Sequence, residues 1–233
     1  MDTAIEIARG PLFQISLAVC LLGLAYRLIT TFYQVGSAWR RAGDRELPLR
    51  AVARATALWL FPRRLLRARP LYSVASIVFH AGIILIPLFL AGHVALWQAS
   101  IHIPWPVLGR GFADVLTVAT AVAITAVLLE RIVSRAPRAL TGTQDVLVLV
   151  LLLGLIVAGF FAAHPSLSPF AARTMVLVHV ILGDLALILT PATKLVHCAL
   201  VPITQLVFEV GWHFPAESGQ HVATALGKEN EPV

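Results

Sequence analysis

Four histidines stand where histidine is expensive: His80 and His93 in one apolar stretch, His179 and His197 in another. An ionisable side chain inside a membrane-length apolar run is a functional candidate, because hydrocarbon offers its nitrogens no partner. Neutral imidazole ligates haem iron, and haem fills the space between facing helices. Two stretches with two histidines each supply the four axial nitrogens that a pair of bis-histidine haems needs.

The elements that would position them follow from composition. Of 233 residues, 58% are hydrophobic and 13% charged, and mean hydropathy is +0.84. A soluble domain averages roughly 45–50% apolar and about 25% charged. The excess comes in runs long enough to cross a bilayer, which takes about 20 apolar residues. The expected fold is an all-α integral membrane protein, a five-transmembrane-helix bundle. Its spans run over about 11–33, 72–97, 112–129, 144–163 and 174–201. They make up one membrane domain, residues 1–204, followed by a tail, 205–233, expected to be disordered at its tip.

The net charge of +6 does not indicate nucleic acid. Nine arginines fall between Gln34 and Pro70, and Arg131, Arg135 and Arg138 lie in another loop. Positive loops beside short spans stay cytoplasmic, so the N-terminus is expected outside and the C-terminus inside, in a multi-pass protein of the cell inner membrane. The start, MDTAIEIARGP, lacks the basic region of a secretory signal, so the first run reads as a retained span. Within the first basic loop, Leu47–Phe61 reads either as an amphipathic interfacial helix or as a solvated basic loop. Before span four, Thr143 is a candidate cap, with Asp145 in the first turn. Cys20 and Cys198 have neither CxxC nor zinc spacing.

On one continuous helix, His179 and His197 are 18 residues apart, about five turns, so both rings leave one face about 27 Å apart. His80 and His93 are 13 apart, about 220° around a straight helix, and do not share a face. Either the haems lie on different sides of that helix, or Pro87 and neighbouring glycines kink and rewind it; the second is preferred. Helix direction sets the pairing. The outer haem takes His93 and His179; the inner haem takes His80 and His197.

Span five reads HVILGDLALILTPATKLVHCALVP. It resembles the corresponding helix of the respiratory nitrate reductase gamma subunit: His179, then Gly183, Pro191, Lys194, Leu195-Val196-His197 and Pro202. FHAG at Phe79–Gly82, Gly92-His93 and TGTQD before span four also match, so the resemblance covers all five spans. The interval between His80 and His93 is longer than in the nitrate reductase subunit. It looks more like relatives that serve heterodisulfide-reductase-like complexes, including the membrane cytochrome of the dissimilatory sulfite reductase system. The resemblance implies two haems b, ligated by His80, His93, His179 and His197. It also implies quinone or quinol as the diffusible substrate and a cytoplasmic iron–sulfur redox subunit as partner. Such a chain would be an electron-transfer, quinol-oxidising subunit of a larger oxidoreductase, not complete alone.

His102, Arg110 and Asp114 lie by the outer start of span three and are candidate quinone contacts, against a reading as interface anchors. Lys194 is a candidate partner of a haem propionate, or it snorkels. Asp184 is a proton-path candidate or a helix-to-helix hydrogen-bonding residue. His164, His213 and His221 read as surface histidines. The competing functions are a histidine-relay proton or ion transporter and a cofactor-free membrane anchor; haem content separates all three.

Overall fold

Hydrocarbon leaves a backbone no hydrogen-bonding partner but itself, so a chain this apolar must fold as helices or as a closed barrel. The computed structural model describes residues 1–60, 63–101 and 103–230, and it is helical. Among the described residues there is no strand, only a single bridge pairing Ala42 with Pro215. The helices are α1 (Asp2–Arg41), α2 (Leu49–Leu60), α3 (Pro70–Phe89), α4 (Ala91–Ile101), α5 (Arg110–Val133), α6 (Thr143–Ala163), α7 (Ala172–Leu189), α8 (Thr204–Gly211) and α9 (Ser218–Ala225).

Six described segments are long and apolar enough to cross a membrane: α1, α3, α5, α6, Ala172–Ala192 and Lys194–Gly211. The protein is an integral membrane helical protein. Its surface shows why: Ile15, Val122, Leu147 and Ile181 are exposed, whereas Ser16, Ser73 and Thr120 are buried. Apolar residues outside and small or polar residues between helices is the arrangement that lipid favours.

Contacts divide the chain into two units: Met1–Cys20 with Arg64–Lys194, and Leu21–Arg63 with Leu195–Val233. In the first unit α3 packs on α5, α5 on α6 and α6 on α7, while the first turns of α1 lie on α7. Ion pairs at the helix ends give the directions. At one end Arg69 meets Glu130, and Asp145 meets Lys194 at 2.7 Å and Arg131 at 3.8 Å. At the other end His164 meets Asp114 and Arg173 meets Asp2 at 3.0 Å. α3, α5, α6 and α7 therefore alternate in direction, and the first turns of α1 run parallel to α7.

Three local expectations are corrected. Span two is two helices, with Leu90 in extended backbone between α3 and α4. Span five is not continuous to Val201. Pro191 brings no N–H to the ladder, the helix gives way to a 3-10 turn over Thr190–Ala192, and Thr193 is extended. The register of about five turns between His179 and His197 therefore does not hold. The cap of α6 is Gly142, not Thr143: the Gly142 N–H donates to Asp145 Oδ2 at 2.9 Å.

In the second unit the expected tail is folded. α8 packs on α2, the Gly43 N–H donates to Phe214 O at 2.9 Å, and His213 Nδ1 donates to Asp44 O at 3.1 Å. Ala42 and Val210 are buried. The tip expected to be disordered ends in residues 231–233, which lie outside the described residues.

Candidate functional site

The break at Leu90 builds the site. Near the end of α3, Leu88 O and Phe89 O lose their ladder partners and find others, while Ile86 O keeps its ladder bond and gains a second. Ile86 O accepts from Leu90 N at 3.0 Å and from His93 Nδ1 at 3.1 Å. Leu88 O accepts from Trp105 Nε1 at 2.8 Å. Phe89 O accepts from Leu108 N at 2.9 Å. Non-helical backbone at membrane depth persists only when such groups are satisfied again. In a straight helix, residues seven apart lie about 10 Å apart along the axis. The break therefore lets the His93 ring fold back onto Ile86 O.

His179 is held in the same manner from the neighbouring helix: its Nδ1 donates to Leu155 O of α6 at 2.9 Å. Leu155 O is already an acceptor of the helix ladder, and a carbonyl's second lone pair takes the imidazole proton. His80 repeats the pattern within α3, Nδ1 to Ser76 O at 2.7 Å. In all three, a carbonyl fixes the proton on Nδ1 and leaves the lone pair on Nε2, the tautomer an iron ligand needs.

The structure brings His93 and His179 together. Their ring centroids are 5.8 Å apart and the planes differ by 15°. A metal ion held between two imidazole nitrogens at about 2 Å from each would need ring centroids about 6 Å apart, so His93 and His179 are the residues that would hold a haem iron here. Among the described residues no three His, Cys, Asp or Glu side chains gather as a metal site. A bis-histidine haem asks only two ligands of the protein. His80 lies in the first unit and His197, exposed in a short helix His197–Leu200, in the second.

Room for the His179 ring comes from Gly159 on α6. A Cβ added there would stand 2.7 Å from His179 Cε1 and 2.8 Å from Nδ1. Gly159→Ala is therefore expected to push the ring off its seat. If His93 and His179 hold a haem, this should appear as loss or broadening of its component in the reduced absorption spectrum. A Gly159→Ala spectrum identical to that of the parent would show that the ring's seat is not a ligand position.

The remaining candidates divide. Lys194 Nζ donates to both carboxylate oxygens of Asp145 at 2.7 Å, so it would have to leave that carboxylate to meet a propionate. Asp184 is buried, at 3% exposure, and neither of its oxygens has a hydrogen-bond partner among the described residues. Arg110 opens α5 and is exposed. His102 lies outside the described residues. Asp114 pairs not with Arg110 but with His164, Oδ2 to Nε2 at 3.4 Å. His164, read from the sequence as a surface residue, is thus part of a carboxylate–imidazole pair. The signal available in the sequence was topological: in an up-and-down bundle the start of α5 and the end of α6 meet at the same surface.

No family model matches the chain, and no solved structure does. A protein of Nitratidesulfovibrio vulgaris (strain Hildenborough) is 34% identical over 198 residues, covering 82% of this chain and 85% of that protein. At that identity and coverage, the chain belongs to the same family as the Nitratidesulfovibrio vulgaris protein.

Proposed function

We propose that this chain is a dihaem cytochrome b membrane subunit, exchanging electrons between the quinone pool and a cytoplasmic iron–sulfur partner. The observation that carries the reading is the His93–His179 pair: two near-parallel rings 5.8 Å apart, each with Nδ1 tied to a backbone carbonyl. A packing pair has no need of two such anchors; a ligand pair does, because they fix both tautomer and ring orientation. The span-five motif and its resemblance to the nitrate reductase gamma subunit support the same reading. The second haem is assigned to His80 and His197 on sequence grounds. When bound, haem supplies one-electron transfer at each centre. The chain's residues hold the axial nitrogens, keep their protons on Nδ1 and pack the helices around them. The absorption spectrum of the purified protein, with and without dithionite, tests this. Two low-spin haems b per chain are expected; a protein without haem ends the proposal.

Topology follows from the same residues. Asp2 meets Arg173 at one end of the first unit, and Lys194 meets Asp145 at the other, beside Arg131. The positive side is cytoplasmic, so Asp2 lies outside and Lys194 inside. The Gly43 amide, beside Arg40, Arg41 and Arg45 on the cytoplasmic side, binds Phe214. A crossing by Lys194–Gly211 would carry Phe214 outside. We take that segment to stay on the inner side, which gives the proposed five crossings and cytoplasmic C-terminus. A reporter fused after Val233 is expected to be active only in the cytoplasm; activity only in the periplasm would reverse the assignment. Basic side chains on that face offer complementary charge to an acidic iron–sulfur subunit.

A further inference from the structure

An open groove of about 500 Å³ runs between α5 and α6, lined by Ala121, Val122, Thr125 and Leu129 on one side and Leu153 and Val157 on the other. Its one hydroxyl is withdrawn: Thr125 Oγ1 donates to Ala121 O at 2.8 Å. Groove and carboxylate–imidazole pair lie on one seam. Ala121 and Thr125 follow Asp114 by seven and eleven residues, and Val157 and Leu153 precede His164 by seven and eleven. At those spacings all four point within about 20° of the polar pair, roughly 10 and 16 Å deeper in the bilayer. The two titratable side chains thus lie in line with the apolar groove, roughly 10 Å beyond its nearest lining residues.

The polar end has a defined proton. His164 Nδ1 donates to Phe160 O at 3.0 Å, which turns Nε2 toward Asp114 Oδ2, 3.4 Å away. Such a pair donates to a carbonyl in one form and accepts from a hydroxyl in the other. That suits a headgroup that interconverts the two. A phosphate headgroup, by contrast, would face a carboxylate of its own sign.

We propose that this seam binds a quinone or quinol, its ring oxygen on His164 and Asp114 and its prenyl tail along the α5–α6 groove. The ligand class rests on the electron-transfer reading above; the location rests on the seam. The volume is in the range of small-molecule sites, about 300–1,000 Å³.

The test uses the full chain in nanodiscs and a benzoquinone with a ten-carbon tail ending in a photoreactive diazirine. Its headgroup without the tail and a diazirine-labelled phospholipid serve as comparisons. Labelling is expected on the α5 and α6 peptides that line the groove. His164→Ala and Asp114→Asn should each weaken binding of tailed and tail-less quinone about tenfold, the effect of losing one good hydrogen bond. Ala121→Phe with Val157→Phe, both on the open groove, should weaken only the tailed compound. Unchanged affinity in these variants, labelling elsewhere, or labelling of the groove by phospholipid that quinone does not displace would overturn the assignment. Haem content measured on the same samples keeps the two ideas apart. Haem present with quinone bound elsewhere removes this site alone; no haem with the labelling intact removes the electron-transfer reading alone.

Discussion

On the dihaem reading, replacing His179 with alanine should remove one haem of two and leave the other, cutting reduced haem absorbance to about half, since a bis-histidine centre would need both nitrogens. His93→Ala should remove the same centre, with the same surviving spectrum. The argument is geometric. The two near-parallel rings stand 5.8 Å apart, and each has its Nδ1 spent on a carbonyl, Ile86 O for His93 and Leu155 O for His179. Deleting either ring would leave a single histidine to hold the group. The double variant should look no worse than either single one, because the two residues act as one unit. If His93→Ala and His179→Ala removed different centres, the pairing would be wrong. If neither changed the haem content, these would be packing residues.

Which parts of this arrangement were legible in the sequence follows from the range of each interaction. The apolar runs, their basic loops and the four histidines set in apolar stretches are local properties, and period and length alone identify them. The interruption of span two was half legible. Pro87 and its glycines announce a disturbance, but its place at Leu90 depends on donors from residues 105 and 108 that satisfy Leu88 and Phe89. Continuity of span five was a natural assumption from its apolar character. It failed because Pro191 removes a donor and Lys194 leaves for Asp145. The Asp114–His164 pair joins residues fifty apart, and the seat that Gly159 makes for His179 joins residues twenty apart. Neither is visible until helix packing is known. The folding of the tail was hidden for the same reason. Its order comes from Asp44, Gly43 and α2, far away in sequence.

The other large effect is expected at Gly82, two residues from His80 on the face of α3 that meets α5. Gly82 is buried, and a methyl group there would run into the Thr120 hydroxyl and lie 2.7 Å from its Cβ and 2.8 Å from its Cγ2. Thr120 has no room to yield. It is fully buried, and its Oγ1 is held by Leu116 O at 2.6 Å. Small residues let membrane helices approach closely, and dispersion at that contact is much of what holds them together. Gly82→Ala should therefore cost about 1–3 kcal/mol or more, the usual penalty of overpacking. It should appear as a lower melting temperature of the detergent-solubilised protein. Because α3 also carries His80, whose ring is anchored to Ser76 O, displacement of the helix should weaken retention of the centre assigned to that histidine. Thr120→Ala on the Gly82→Ala background removes the hydroxyl and the methyl but leaves the Cβ, so rescue should be partial; Thr120→Gly should restore more. Gly82→Ala alone melting with the parent protein would mean that α3 and α5 are not in contact at this point, and the packing order of the first unit would have to be redrawn.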